Sequence, residues 1–217
     1  MKLHCQQLSQ YLTGLIFLLL IAGGCSHKEN TTKTVSANTD SVVTTPPQIL
    51  LEPSDGDVVW FFAKSKDELG PGGELHIYLD SETHPQARAS FAKFTLGVNG
   101  VLPVHKHDRT EEICYFLSGE GIAQYFENDS NIEIPVSAGY VWYLPPSIWH
   151  ALKNNGKEPL CLVFATIPND KKGLMSFFRT IGVKPGEEAV QLSPEEFGRI
   201  AREHDLILKP PEDANKE

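Results

Sequence analysis

The chain has 217 residues, which is enough for one domain of ordinary size with a real core and some appendages. It carries 28 Asp and Glu against 19 Lys and Arg, a formal net charge of −9 at pH 7. An acidic balance without a basic cluster argues against nucleic acid as a partner and against direct adsorption on anionic lipid headgroups.

Residues 1–24 have the pattern of a signal peptide. Lys2 precedes the apolar run LTGLIFLLLIA, which is too short to span a bilayer comfortably but suits a signal-peptide core. The run ends in Gly23-Gly24-Cys25, which resembles a bacterial lipoprotein signal with Cys25 as the lipidation site. This predicts export to the bacterial cell envelope and a lipid anchor on its periplasmic or extracellular face. An uncleaved membrane anchor and ordinary secretion are the alternatives.

Residues 25–48 are predicted to be a flexible polar linker that starts at the lipid-attachment cysteine. The segment is rich in Thr, Ser and Asn and has no aromatic residue, so it cannot bury enough surface to offset its chain entropy. Such a tether lets an anchored domain stand clear of a membrane. The folded domain is predicted over residues 49–210.

From Ile49 onward the chain consists of short β-like runs separated by turn residues such as Asn99-Gly100 and Pro145-Pro146. Many short strands at this spacing predict an all-β antiparallel sandwich or barrel. The predicted strands cover residues 58–63, 75–80, 89–96, 102–106, 112–118, 122–127, 132–136, 140–144, 149–154 and 160–166.

Three histidines and one carboxylate have the spacing of a metal site. His105 and His107 form a His-X-His pair, which places both imidazoles on one face of an extended segment. Glu112 can return on the next strand, and His150 can complete the set from further along. Three imidazoles and a carboxylate suit one divalent transition metal ion, chosen among Fe, Mn, Ni, Co, Cu and Zn. The other histidines are assigned structural or surface roles.

The same residues resemble the paired motifs of the cupin superfamily. The first motif is matched by His105, His107, Glu112 and Gly119, and the second by Gly139, Pro145, His150 and Asn154. Two positions differ from the family pattern, because Asn99 and Ser147 stand where glycines are expected. Both are turn positions, so the differences concern loop shape rather than the ligands.

The cupin resemblance implies a double-stranded β-helix, the jelly-roll barrel, whose metal ligands line the interior. Residues 173–182 have a short amphipathic pattern, and a second helix is predicted from Ser193, with Pro194 as its first residue and Glu196 completing a capping box. We expect these C-terminal helices to cover an open end or edge of the barrel. Alternatively, Phe177, Phe178 or Arg179 forms part of a cavity wall or lid. A similar tail occurs in small cupins that resemble quercetinase-type dioxygenases.

Two cysteines fall inside the predicted domain. Cys114 and Cys161 each lie in an apolar strand-like run, where a small buried hydrophobic role is the ordinary expectation. A bridge between them is the alternative in an oxidising compartment. Cys114 has the same strand parity as Glu112, so its side chain is expected to point toward the metal cavity without acting as a ligand.

The first function hypothesis is a metal-dependent oxidoreductase, similar to the quercetinase-like dioxygenases, acting on a small organic, aromatic or enolic substrate. Glu112 is the candidate catalytic general base. Arg109 is either an anchor for an anionic group or a solvated loop charge. The alternatives are a non-catalytic module that binds or senses a small ligand at the membrane surface and, less favoured, a sugar isomerase or epimerase, so whether the protein is an enzyme stays open. Because cupins often form pairs, the resemblance also leaves a homodimer open.

Overall fold

The computed structural model describes residues 50–128 and 130–210. The predicted signal peptide, the lipidation site Cys25 and all of the predicted linker lie outside the described residues. Within them, eleven strands and two helices follow one another along the chain. Their bounds are β1 Asp57–Phe61, β2 Gly73–Leu79, β3 Ser90–Leu96, β4 Val101–Lys106, β5 Glu111–Ser118, β6 Glu120–Glu127, β7 Ser130–Ser137, β8 Val141–Leu144, β9 His150–Lys153, β10 Leu160–Ile167, α1 Leu174–Ile181, α2 Pro194–Glu203 and β11 Ile207–Leu208.

The strands form two antiparallel sheets. The six-stranded sheet has the order β1-β2-β3-β10-β5-β8, and the five-stranded sheet has the order β11-β4-β9-β6-β7. Sequence neighbours such as β3 and β4 lie in different sheets, as expected for a jelly roll. The predicted all-β class with short C-terminal helices is confirmed. Each of the ten predicted strands overlaps an observed one, whereas the two-residue β11 was not predicted.

Alternating burial along the strands builds the core. In β2, Leu75 and Ile77 are buried while the residues between and beside them are partly exposed. In β10 the alternation continues over eight residues, with Leu162 and Phe164 among those facing inward. Because side chains on a strand alternate between faces, each sheet presents one apolar surface to the core.

The C-terminal helices pack on this core. Helix α1 buries five apolar side chains, which are Leu174, Met175, Phe177, Phe178 and Ile181. Helix α2 begins with the predicted capping box, in which Ser193 and Glu196 satisfy each other's backbone amides, and with Pro194 at its first position. Neither helix in the described part of the chain has the length and apolar character needed to cross a membrane.

Strand register brings the two halves of the histidine pattern together. In the β4–β9 pair, His105 lies directly opposite His150. On the other side of β4, the short strand β11 pairs Leu208 with His105 and Ile207 with Lys106. The C-terminal end of the domain is therefore hydrogen-bonded to the strand that carries the first predicted metal ligand.

Candidate metal centre

The structure brings three of the four predicted ligands into one buried cluster. His105 is near the end of β4, His107 follows that strand, and His150 begins β9. One ring nitrogen of each histidine lies within 4.8 Å of those of the other two. The ring centroids of His105 and His150 are 4.2 Å apart, and that of His107 lies 5.1 Å and 5.5 Å from them.

Backbone carbonyls fix the orientation of all three rings. The Nδ1 atoms of His105, His107 and His150 lie 2.7, 2.7 and 2.9 Å from the carbonyl oxygens of Pro103, Asp205 and Ile148, respectively. A carbonyl oxygen only accepts hydrogen bonds, so each Nδ1 donates and each neutral ring keeps a lone pair on Nε2. This second hydrogen bond is the usual partner of a metal-binding histidine.

The Nε2 atoms have the properties of metal-binding atoms. Among the described residues, the buried Nε2 atoms of His107 and His150 have no hydrogen-bond partner. Burial lowers the pKa of His105 to about 4 and also lowers the pKa values of His107 and His150. All three rings are therefore neutral at pH 7, which is the protonation state that binds a metal.

Glu112 lies beside this cluster on β5. Its Oε1 is 3.4 Å from His107 Nε2 and, among the described residues, has no hydrogen-bond donor. Burial raises the pKa of Glu112 to about 7, and the positive charge that His105 would carry if protonated acts in the opposite direction. The three-histidine cluster forms without the carboxylate, so the roles of Glu112 as fourth ligand and as catalytic base stay predictions.

The donor set fits one divalent transition metal ion. Neutral imidazoles are borderline ligands that suit such ions, and a nearby carboxylate lowers the net charge of the site. A buried cluster of unpaired acceptor atoms is costly without a cation, because desolvated acceptors lose their contacts with water. The assignment of a metal to this site therefore rests on the buried acceptor atoms that lack hydrogen-bond partners as well as on the identity of the residues.

Asp205 supports the site and was not anticipated from the sequence. Its backbone carbonyl accepts the hydrogen bond from His107 Nδ1. Its carboxylate accepts hydrogen bonds from the backbone amides of Asp108 (3.2 Å) and Arg109 (3.0 Å) and from the Thr110 hydroxyl (2.9 Å). The residue thus holds both the His107 ring and the loop that follows it, from a position almost one hundred residues further along the chain.

An apolar cavity of about 70 Å³ opens next to the histidines. At ~10–15 Å³ for each water on this measure, it has room for several waters or a small organic molecule. His105, His150 and Glu112 form its polar end, whereas side chains of β1, α1 and α2 are among those that form the apolar end. No lysine or arginine is among the described residues that line it.

Several sequence hypotheses are decided by this cavity. Phe177 and Phe178 of α1 line it, so the helices do more than cover an edge of the barrel, and the wall interpretation is confirmed for these two residues. Arg179 instead donates hydrogen bonds to Asp57 and Asp80 and fastens α1 to the six-stranded sheet.

Arg109 is a solvated loop charge rather than a cavity anchor. Its guanidinium lies 3.5 Å from carboxylate oxygens of both Asp170 and Asp205, is largely exposed, and does not line the cavity. The anchor interpretation of Arg109 was therefore wrong.

The two cysteines of the domain are free. Cys114 lines the cavity, as its strand parity with Glu112 predicted, and burial raises the pKa of its thiol. Cys161 lies on β10 opposite Ser118 and near the Thr95 hydroxyl. The alternative of a Cys114–Cys161 bridge is not realised.

The two departures from the cupin motifs occupy left-handed turns. Asn99 has φ 63° and Ser147 has φ 68°, a conformation that favours glycine because it has no Cβ. Asn tolerates this region better than most residues. The Ser147 hydroxyl donates to Asp108 and its backbone amide donates to His107, so this turn contacts the ligand loop.

Comparisons with known proteins agree with the site. A family model described as Cupin matches residues 62–196. An oxalate-binding protein from Thermotoga maritima is 31% identical over 94 residues, which make up 42% of this chain and 74% of that protein.

Two solved structures match parts of this chain. An oxalate decarboxylase from Lactobacillus farciminis, in complex with formate, is 27% identical with a TM-score of 0.41, over 45% of this chain and 29% of that chain. A predicted oxalate decarboxylase from Thermotoga maritima is 24% identical with a TM-score of 0.45, over 55% of this chain and 99% of that chain. The match thus spans less than a third of the Lactobacillus protein.

The family match covers more than half of the chain and contains His105, His107, Glu112 and His150. The structure places His105, Glu112 and His150 at the polar end of the cavity and His107 in the same histidine cluster. The protein is a member of the cupin family.

Proposed function

We propose that this cupin is a metal-dependent oxidoreductase, similar in its chemistry to dioxygenases, that acts on a small organic substrate of aromatic or enolic character. The proposal rests mainly on the position of the cluster of three neutral imidazoles, which lies at one end of an otherwise apolar cavity. Such a cavity binds an apolar molecule while its few polar groups orient one reactive end. The fold alone would not decide the chemistry.

The lining of the cavity favours such a substrate over a small dianion. The Thermotoga maritima relative is described as binding oxalate, which carries two negative charges. Here a divalent ion beside an ionised Glu112 would leave one net positive charge, and the described lining offers no Lys or Arg to balance the second negative charge. An unbalanced charge in an apolar cavity is costly.

The residues of the chain supply binding, orientation and proton transfer. A divalent transition metal, when bound, supplies Lewis-acid chemistry and, for redox-capable ions, electron-transfer chemistry. Glu112, buried beside the histidines, is the group in position to accept a proton from an enol or phenol hydroxyl. Aromatic side chains such as Phe94 and Phe177 contact the apolar body of the substrate and exclude water.

A non-catalytic binding or sensing module is the second candidate. It is favoured by the description of the Thermotoga maritima relative as an oxalate-binding protein. In that case the same cavity and metal hold a small ligand without converting it.

The N-terminal features remain part of the proposal. Lipidation of Cys25 after removal of residues 1–24 would place the domain on the cell envelope, joined to the membrane only through the lipid and the 25–48 linker. Mass spectrometry of the mature protein tests this, because an intact Met1 or a free Cys25 thiol would contradict it. A homodimer is also proposed, and the molecular mass in solution tests it.

Metal analysis followed by oxygen uptake tests the function. We expect about one redox-capable metal ion per chain in the purified protein, and loss of that ion in His150→Ala. Oxygen uptake with catechol-like or flavonoid substrates should depend on the metal and disappear in His105→Ala. Ligand binding without turnover would favour the sensing module, whereas no metal under any loading condition would contradict both candidates.

A further inference from the structure

A surface groove of about 360 Å³ adjoins the metal cavity. It lies between the end of β1 and the segment that joins α1 to α2. Among the residues that line it are Trp60, Ala63, Val190 and Leu192. The groove has no charged side chain among its described lining residues, and Gln191 is its one polar residue there.

Three phenylalanines line both the groove and the metal cavity. These are Phe61, Phe62 and Phe197. The rings of Phe62 and Phe197 are 5.6 Å apart between centroids, and those of Phe61 and Phe62 are 5.8 Å apart. The groove and the metal cavity therefore share three aromatic residues in their walls.

Phe62 has unusual properties for a wall residue. Its side chain is 56% exposed although it is large and apolar, and its backbone has φ 53°. A bulky residue in the left-handed region is a genuine outlier, and such outliers concentrate at functional positions. An exposed aromatic ring at the junction of two apolar spaces can change rotamer without disturbing the core.

We propose that the groove binds an apolar extension of the substrate whose reactive end lies at the metal, and that Phe62 and Phe197 line the passage between the two. The proposal rests on the proposed function for the position of the reactive end. It adds that the natural substrate is elongated, with an uncharged alkyl or aryl extension beyond the metal-binding end. The substrate reaches the metal by passing between Phe62 and Phe197.

Continuity with the cavity selects this occupant over others. The groove and the inner cavity share Phe61, Phe62 and Phe197 in their walls, so the two spaces are neighbours that one elongated molecule could occupy together. Its lining is apolar and uncharged, which suits a hydrocarbon extension and offers no partner to a charged group. A second copy of the chain would instead need a complementary protruding surface and would make occupancy depend on protein concentration.

The experiment measures how affinity depends on chain length. The probes are 4-methyl-, 4-propyl- and 4-hexylcatechol, titrated calorimetrically into the zinc-loaded protein, because zinc does not support redox turnover. The catechol oxygens are expected to bind the metal, and the alkyl chain is expected to enter the groove. Each methylene that enters the groove should tighten binding by up to about fourfold.

Two exposed valines provide matched variants. Val190 lines the groove and is 46% exposed, whereas Val141 on β8 is 66% exposed and lines neither space. We expect Val190→Asp to remove most of the dependence on chain length while leaving the affinity for 4-methylcatechol unchanged. Val141→Asp should leave both unchanged. In Phe62→Ala, the association rate of 4-hexylcatechol should rise severalfold because the passage is wider.

The possible outcomes separate this proposal from the function on which it rests. Affinity that does not change with chain length, or a failure of every probe to bind, would overturn the groove proposal even if the loaded enzyme consumes oxygen. Chain-length dependence that Val190→Asp removes would support it even if no turnover is found. If Val190→Asp changes only the molecular mass in solution, the groove is a contact between copies and the proposal is wrong.

Discussion

The two ends of the cavity are built in different ways. At the metal end, three rings are fixed by hydrogen bonds to backbone carbonyls, and two of them face each other across the β4–β9 ladder. At the apolar end, aromatic side chains from β1, α1 and α2 contact one another, and packing alone orders them. The hydrogen bonds at the metal end fix the positions of the histidine rings, whereas the packing at the apolar end determines the shape of the cavity.

Because of this difference, we expect metal binding to depend on the strand end of the cavity and substrate selectivity to depend on the helical end. Register and backbone hydrogen bonds allow little freedom to ligand atoms, as a metal centre requires. Packed aromatic side chains tolerate exchange for other apolar groups of similar volume. Substitutions at the helical end should therefore change which substrate fits, and substitutions at the strand end should change whether a metal binds.

Removing a large side chain from the apolar end tests this separation most severely. Phe177 is buried between α1 and α2, so Phe177→Ala should lower the free energy of unfolding by about 3–5 kcal/mol through lost burial and the cavity that remains. The metal content of the folded variant should stay at the wild-type level. Urea unfolding and elemental analysis measure the two quantities.

Phe91→Ala is the matched control for this variant. Phe91 lies on β3 with 40% of its surface exposed, so the same truncation should cost about 1 kcal/mol or less. Loss of metal in Phe177→Ala at temperatures where the variant is folded would show that the two ends are not independent.

Ionisation of Glu112 tests the electrostatics of the metal end. Burial raises its pKa in the metal-free folded protein to about 7 from an ordinary value of 4.5. The folded state therefore binds more protons than the unfolded state between these values, so the stabilising effect of protonated Glu112 is complete below pH 4.5 and is lost as pH rises to 7. Relative to Glu112→Gln, metal-free wild type should lose up to about 3 kcal/mol of stability over this window.

The comparison with Glu112→Gln isolates this carboxyl from the histidines. The pKa of His105 is lowered to about 4, so its contribution to stability has the opposite sign and increases as pH rises from 4. That contribution is present in both proteins. Urea unfolding at pH 5 and pH 8 gives the difference, and a difference that does not change with pH would contradict the buried position of Glu112. If Glu112 is a ligand, saturating metal should abolish the loss of stability at high pH.

Asp205 joins the helical extension to the metal end, so changing it should weaken metal binding. Asp205→Asn keeps a side chain that tolerates the left-handed conformation of this residue (φ 61°). Its neutral amide has only one acceptor oxygen, so it cannot accept all three hydrogen bonds of the carboxylate or balance the charge of Arg109. The carbonyl that orients His107 should then shift. Loss of such an outer partner typically costs 10–100-fold in metal affinity, which competition with a chelator would measure.

Asp170→Asn is the control for Asp205. Its carboxylate also lies 3.5 Å from the Arg109 guanidinium, but the hydrogen bonds from the backbone amides of Asp108 and Arg109 and from the Thr110 hydroxyl go to Asp205 instead. We expect its metal affinity to match that of the wild type. Equal losses in both variants would assign the effect to the charge of Arg109 rather than to the position of His107.

The sequence predicted the strand end of the molecule better than the helical end. Short β-like runs bounded by turn residues made β2 and β10 recognisable, and the capping box located the start of α2 at Pro194. The spacing of His105, His107 and His150 was enough to predict their cluster, because strand parity and motif order both constrain it. These features are local or repeat along one strand.

The features that were not predicted depend on distant contacts. Strand β11 has two residues, too few to show any periodicity. Asp205 acts through its backbone carbonyl, which no residue type reveals, although an Asp that follows a predicted helix could have suggested a left-handed position. The cavity role of Phe177 was only the less favoured alternative from the sequence, and the shared wall at Phe62 was not predicted. Both require that α1, α2 and β1 meet, and no local pattern shows this.

The left-handed turns of the motifs should give the smallest effects. Ser147→Gly removes the conformational cost of φ 68° but gives up the hydrogen bond to Asp108 and increases the freedom of the unfolded chain. The net gain in unfolding free energy should be about 0.5–1 kcal/mol. Ser147→Ala loses the same hydrogen bond and keeps the strained backbone, so it should be less stable than both wild type and Ser147→Gly.

Metal affinity decides what the Ser147 hydroxyl does for the metal end. The backbone amide of residue 147 donates to the His107 carbonyl in any of these variants, so both substitutions should leave the affinity unchanged if backbone contacts alone hold the ring. If both variants instead lose affinity equally, the Ser147–Asp108 hydrogen bond helps to position His107. The metal end would then depend on a side-chain contact in a turn where the cupin motif ordinarily has glycine, and its rigidity would not come from the backbone alone.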